Sequence, residues 1–268
     1  MDRLLDLDRY PLDDLASSRG RALVEACKQH LAERGLFNLE GFVRPAALGR
    51  CIAEIAPLFE RDAFTHQRSH NIYFKDDIAE LPADHPALRR FETVNHTVCA
   101  DQIPGSLLCR IYEWPPLAAF LAVVMDKSRL YPMADPLARA NVMAYRNGET
   151  LNWHFDRSEF TTTLLLQAPE AGGAFQYRSG LRADDDPNYE GVARLLAGGD
   201  EQIQTLPLAP GTLNVFKGKN TAHRVTPVEG ERARMIAVFS YYERPDVVFS
   251  EQERIGFYGR SEPRCRMT

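Results

Sequence analysis

The segment Leu151-Asn152-Trp153-His154-Phe155-Asp156 sets an imidazole and a carboxylate two residues apart. On a β-strand alternate side chains leave the same face, so His154 and Asp156 would converge on one point. The triplet alone is a weak signal, because seven histidines in this chain give about 0.5 accidental His-x-Asp triplets. A second histidine, His223, follows the turn residues Gly218, Lys219 and Asn220 and can supply a third ligand. Two histidines and one carboxylate on one face of an octahedral metal leave three positions open, the arrangement that suits non-haem iron(II). Those positions can take a bidentate 2-oxo acid and dioxygen.

A dianionic co-substrate beside the metal needs a fixed cation at its far end. A guanidinium offers paired hydrogen bonds there that an ammonium cannot. Arg234 opens the otherwise apolar run Arg234-Met235-Ile236-Ala237-Val238-Phe239, where an inward-facing charge requires a partner. Arg232 has the same strand parity, and parity does not separate the two.

Different elements must carry these residues. The first half reads as helical: Leu23, Cys27 and Leu31 recur every fourth residue within Leu15 to Leu31. Leu48, Ile52, Ile55 and Phe59 repeat the pattern after Pro45, a first-turn proline. Pro115 and Pro116 open a third helix with Leu117, Phe120, Leu121 and Val124 on one stripe. Thr65 to Pro104, rich in His, Asp and Pro, reads as loops and short strands. From about Ala140 the period becomes 2, with β-prone runs at 141–145, 161–167, 174–178, 212–216 and 232–242 divided by Gly, Pro and Asn. That punctuation predicts an antiparallel sandwich or barrel. A short helix between Pro187 and Leu196, closed by Gly198-Gly199, interrupts it.

Taken in order, His154-Phe155-Asp156, Pro169 to Phe175, Pro210 to Phe216, His223 to Val228 and Arg234 resemble the iron(II)/2-oxoglutarate-dependent oxygenase superfamily. More closely, Asn141 to Gln167 and the terminal Tyr258-Gly259-Arg260 are similar to the family of radical halogenases and hydroxylases of free amino acids. The resemblance implies a mainly β fold with α: a double-stranded β-helix (jelly roll, cupin-like) with N-terminal helices packed on it. It implies Fe(II), 2-oxoglutarate as co-substrate, O2, and ascorbate as a stimulant. It further implies that Tyr145 hydrogen-bonds 2-oxoglutarate, with Asn141 and Trp153 as candidates for the same pocket. Halogenating members carry Gly where the metal carboxylate would be; this chain keeps Asp156, so the implied outcome is hydroxylation. The implied substrate is a small molecule, a free amino acid or amine. The rivals are hydroxylation of a prolyl or aspartyl side chain, a jelly-roll sensor that binds metal and 2-oxoglutarate without turnover, and a zinc hydrolase on the same triad.

Composition narrows the field. A 268-residue chain with 44% hydrophobic and 26% charged residues reads as one domain over 1–268, mainly helical over 1–135 and jelly-roll over 136–268 with a short helical insertion near 187–197. A net charge of −5 and no long Lys/Arg run argue against nucleic acid as a partner. Five cysteines without a C-x-x-C pair fit neither a disulfide framework nor a thiolate zinc site, and point to the cytoplasm. No apolar leader and no long apolar run suggest a membrane partner. Assembly state is not readable, a homodimer being one option. Gly172-Gly173 and Pro210-Gly211 read as turn marks. The run Asp184-Asp185-Asp186 reads as a solvated loop or a lure for a cationic substrate. His66, His70, His85 and His96 take no role from sequence.

Overall fold

The structure is a computed structural model that describes residues 1–264. Cys265 lies outside them; Cys27, Cys51, Cys99 and Cys109 are buried free thiols. Among the described residues the helices are α1 (Ser18–Arg34), α2 (Pro45–Arg61), α3 (Leu107–Tyr112), α4 (Pro115–Val124), α5 (Tyr189–Leu196) and α6 (Glu251–Tyr258). The strands are β1 (Leu36–Leu39), β2 (Phe64–His70), β3 (Phe91–Val98), β4 (Tyr131–Pro132), β5 (Ala140–Tyr145), β6 (Leu151–His154), β7 (Thr161–Gln167) and β8 (Ala171–Gly172). They continue with β9 (Phe175–Arg178), β10 (Gln204–Leu206), β11 (Leu213–Phe216), β12 (Ala222–Val225), β13 (Val228–Glu229), β14 (Arg234–Phe239) and β15 (Tyr241–Tyr242).

Seven strands form an antiparallel sheet in the order β1-β11-β7-β14-β5-β3-β2, and four form a second, β10-β9-β12-β6. Facing each other, the two make the double-stranded β-helix. The large sheet is amphipathic in a particular sense: its two faces bury different things. Along β14, Met235, Ala237 and Phe239 enter the main hydrophobic core, where they meet Leu31 of α1, Ile55 of α2, Leu108 of α3 and Phe120 of α4. Arg234, Ile236 and Val238 face a cavity instead. β7 repeats the division, with Leu164 and Leu166 in the core and Thr161 and Thr163 toward the cavity. The helices therefore seal one face, each fully buried Leu, Ile or Phe contributing about 1.5–3 kcal/mol, and leave the other free to hold a polar site.

The predicted helices form, with shifted ends: α1 runs to Arg34, beyond the expected Leu31, and α5 begins at Tyr189, after the expected Pro187. Ser17 accepts from the Gly20 amide to start α1, and Gly35 ends it in the left-handed region at φ 75°. Pro45 opens α2, and the Asn188 side chain caps α5. Thr65 to Pro104 holds loops and short strands, as expected, with β2 and β3 paired along seven residues and β3 joined to β5; the alternation of β2 carries His and Arg rather than apolar residues on its inward face. The helical N-terminal part also supplies β1, which pairs with β11 at the far edge. The last long strand begins at Arg234, and the chain breaks again at Ser240, so Arg232 precedes the strand.

Candidate active site

His154 ends β6 and His223 stands directly opposite it on β12. Cross-strand partners are close by construction, and the two rings lie 4.0 Å apart between centroids. Each ring is fixed from behind by a carbonyl two residues upstream. His154 Nδ1 is 2.8 Å from the Asn152 carbonyl and His223 Nδ1 3.0 Å from the Thr221 carbonyl. A carbonyl only accepts, so both Nδ1 atoms carry the proton and both Nε2 lone pairs point forward.

Asp156 lies beyond the end of β6, so its approach is not strand parity alone. The Phe155 amide donates to Ile72 and the Asp156 amide to Gly218, which holds the chain extended past the strand. The carboxylate then reaches His154 Nε2 at 3.4 Å and His223 Nε2 at 3.5 Å, and accepts from the Thr161 hydroxyl. The three ligand atoms fall within 4.8 Å of one another. Burial would raise the Asp156 carboxyl, but the histidines and Thr161 hold it well below the usual carboxylate range. Burial, with His154 alongside, lowers His223 to about 4. At neutral pH the site therefore presents a neutral His223 imidazole and an ionised Asp156 carboxylate, protonation states a metal requires.

Gly218 has a role beyond its turn. A Cβ there would sit 2.5 Å from both Asp156 Oδ2 and Thr161 Oγ1, so only glycine admits the carboxylate.

The triad lines a cavity of about 770 Å³ between the sheets. Arg234 lies in the same cavity, 2% exposed, opposite Tyr145 on β5. Its Nε donates to the Gly173 carbonyl at 3.1 Å, while its Nη1 is buried without a partner. Burial lowers its pKa to about 10. Gly173, at φ 58°, lets the arginine stem pass, since a Cβ would meet Arg234 Cδ at 3.2 Å. Arg232 is exposed and donates to the Ala168 and Pro169 carbonyls. Of the two arginines, only Arg234 reaches the cavity.

Tyr145 lines the cavity, with burial pushing its phenol up to about 12. Asn141 does not: its amide donates to Tyr258 Oη at 3.1 Å, and Tyr258 is the residue that meets the cavity. Trp153 is likewise turned away, packed beside Ile72 and Val192 under the Arg224 guanidinium. The acidic loop is internally occupied, Asp184 pairing with Lys219 at 2.9 Å and Asp186 accepting from the Asn188 amide.

Several lining residues had no sequence signal strong enough to single them out. Thr161 and Thr163 could have been found from the parity of Thr161-Thr162-Thr163 after the His-x-Asp triplet. Arg68 stands on β2 and Phe74 in the loop after it, a stretch whose sequence shows no apolar alternation. Phe74, held at φ 54°, packs edge-on against His154 at 5.8 Å and beside His70 at 4.5 Å. It lines the cavity beside the triad.

Solved structures share this architecture at low identity. AviO1 from Streptomyces viridochromogenes superposes with a TM-score of 0.56 at 16% identity, covering 83% of this chain and 96% of that one. The non-haem alpha-ketoglutarate-dependent carbocyclase SnoK from nogalamycin biosynthesis gives 0.55 at 13%, covering 89% and 92%. HygX from Streptomyces hygroscopicus, solved with nickel and 2-oxoglutarate bound, gives 0.52 at 15%, covering 81% and 85%. No curated protein matches the sequence. A family model does, and over most of the length that builds both sheets and the triad: residues 20–253 match Halogenase D, and the chain belongs to that family.

Proposed function

We propose that this chain is an iron(II)- and 2-oxoglutarate-dependent hydroxylase of a small molecule, of the free amino acid or amine class. The observation that carries the reading is one cavity holding two forward-facing imidazoles, an ionised carboxylate and a buried guanidinium with an unpartnered Nη1. The donor set fits the metal: two neutral nitrogens and one anionic oxygen on one side leave the other side open. The orphaned Nη1 fits the far carboxylate of a 2-oxo acid, which would satisfy it. His154, Asp156 and His223 would hold the metal, Arg234 would anchor 2-oxoglutarate, and Tyr145 borders the same space. Asn141 acts at one remove, by holding Tyr258.

Iron(II) with 2-oxoglutarate supplies the oxidation of a C–H bond by O2, one oxygen atom going to the product and one to succinate, with release of CO2. The chain supplies orientation and dryness, because that chemistry is unselective by itself. Asp156 would take the third protein position on the metal, which favours hydroxylation over halogenation despite the family's name. The cavity walls, with Phe74 over His154 and Phe257 along the rim, support a small molecule over an extended peptide.

Purified protein given iron(II), ascorbate and 2-oxoglutarate should release succinate with a suitable small molecule, whose mass should rise by one oxygen. Asp156→Ala and His223→Ala should each abolish succinate release. Undiminished release in either variant would remove the metal assignment.

A further inference from the structure

The cavity lining is lopsided in charge. Arg68, Lys75, Arg157, Arg182, Lys219 and Arg234 line it, and Asp156 is the sole carboxylate that does so among the described residues. Two of these cations are neutralised elsewhere, Arg157 by Glu253 and Lys219 by Asp184, each at 2.9 Å. Arg68, Arg182 and Lys75 have no carboxylate partner among the described residues; Lys75 is exposed, whereas the two arginines are partly buried. Arg68 rises from the inward face of β2 and lies over the Phe74 ring at 4.2 Å, its Nε buried without a hydrogen bond. Arg182, in the loop after β9, lies over Phe155 at 4.0 Å and spends its Nε on the Lys219 carbonyl. Burial lowers both guanidiniums, so each is charged at a cost that its surroundings do not repay.

The surplus remains after the proposed metal and co-substrate are counted. Iron(II) and Arg234 bring three positive charges; Asp156 and the two carboxylates of 2-oxoglutarate bring three negative ones. Arg68 and Arg182 stand outside that balance. A guanidinium stacked on an aromatic ring still offers its N–H edge, and the edge suits an oxyanion. An ammonium in the same space would meet like charge and no free carboxylate.

We propose that Arg68 and Arg182 each present an N–H edge to an oxyanion of the substrate, a carboxylate or phosphate, so that the molecule hydroxylated is net-anionic and not net-cationic. The inference rests on the iron/2-oxoglutarate reading and narrows its substrate class.

The test is titration calorimetry on full-length protein loaded with nickel(II), which prevents turnover, and 2-oxoglutarate. The probes are L-aspartate, L-asparagine and L-lysine, and O-phospho-L-serine with L-serine. The acidic member of one pair should bind about tenfold or more tighter than its neutral partner, with lysine weakest. The aspartate pair reports a carboxylate site and the phosphoserine pair a phosphate site. Arg68→Gln and Arg182→Gln should each erase most of that preference, weakening the acidic member, which has an oxyanion beyond the α-carboxylate, more than its neutral partner; circular dichroism confirms that the variants fold. Lysine binding tightest, no preference in either pair, or no binding by any probe would overturn the proposal. Failure of wild-type protein to bind 2-oxoglutarate at all would instead overturn the reading beneath it.

Discussion

Replacing Arg234 by Met removes a guanidinium that is 2% exposed and keeps much of its aliphatic stem in place. Burial lowers the pKa of this group from 12.5 to about 10, which makes its charge about 3 kcal/mol more costly in the fold than in the unfolded chain. The variant loses one hydrogen bond, to Gly173, and stranding that carbonyl costs about 1–2 kcal/mol. The balance predicts that Arg234→Met stabilises the protein without co-substrate by about 1–2 kcal/mol, a rise of a few degrees in Tm. With co-substrate the sign reverses. Losing a paired, desolvated carboxylate contact costs about 3 kcal/mol or more, over a hundredfold in Kd. Thermal unfolding of metal-loaded protein with and without 2-oxoglutarate reads both effects. Wild type should gain about 2.7 kcal/mol at a hundred times its Kd, and the variant almost none. Arg234→Lys, with the charge but not the fork, should fall between them. An Arg234→Met protein that melts several degrees lower alone, yet keeps the full 2-oxoglutarate response, would refute both the charge cost and the anchor.

Gly218→Ala should fold but bind metal at least about tenfold more weakly, because its Cβ would displace the Asp156 carboxylate; equilibrium dialysis with nickel(II) measures this, and unchanged affinity would show that the loop yields. Thr161→Val removes the hydroxyl that orients Asp156 and should weaken metal binding by about tenfold, a loss that Thr161→Ser should largely restore in the same dialysis. Acid should destabilise the metal-free protein through His70, whose two ring nitrogens are satisfied by the Asn71 carbonyl and Thr93 hydroxyl and whose pKa burial lowers from 6.5 to about 4. The unfolded chain then binds the extra proton between those values, so stability is lost as pH falls from 6.5 towards 4, by up to about 1.4 kcal/mol per pH unit from this group. Denaturant unfolding of wild type and His70→Gln at pH 7.5 and pH 5 should show a smaller pH dependence in the variant, and equal dependence would remove His70 as the source.

The chemistry was legible in the sequence because it depends on residue types that are rare and spaced by local geometry. His154, Asp156 and His223 stood out by type, and the helices by a 3.6-residue stripe that packing on the sheet demands. Where side chains did not advertise a face, the sequence was silent. The inward face of β2 carries His66, Arg68 and His70, which looks like loop chemistry until β3 pairs beside it. β1 is four residues long and gains its strand character only from β11.

Local sequence thus determined the residue types of the triad, its carboxylate included, and the change from helical to strand period. Tertiary structure decided the rest. Arg232 and Arg234 share a parity, and only the start of β14 at Arg234, beside Gly173, shows which one enters the cavity. Asn141 and Tyr145 lie on one strand face, yet Tyr258, arriving from the far end of the chain, covers the first and not the second. Burial and charge balance are properties of what surrounds a residue in space, and periodicity along the chain does not encode them.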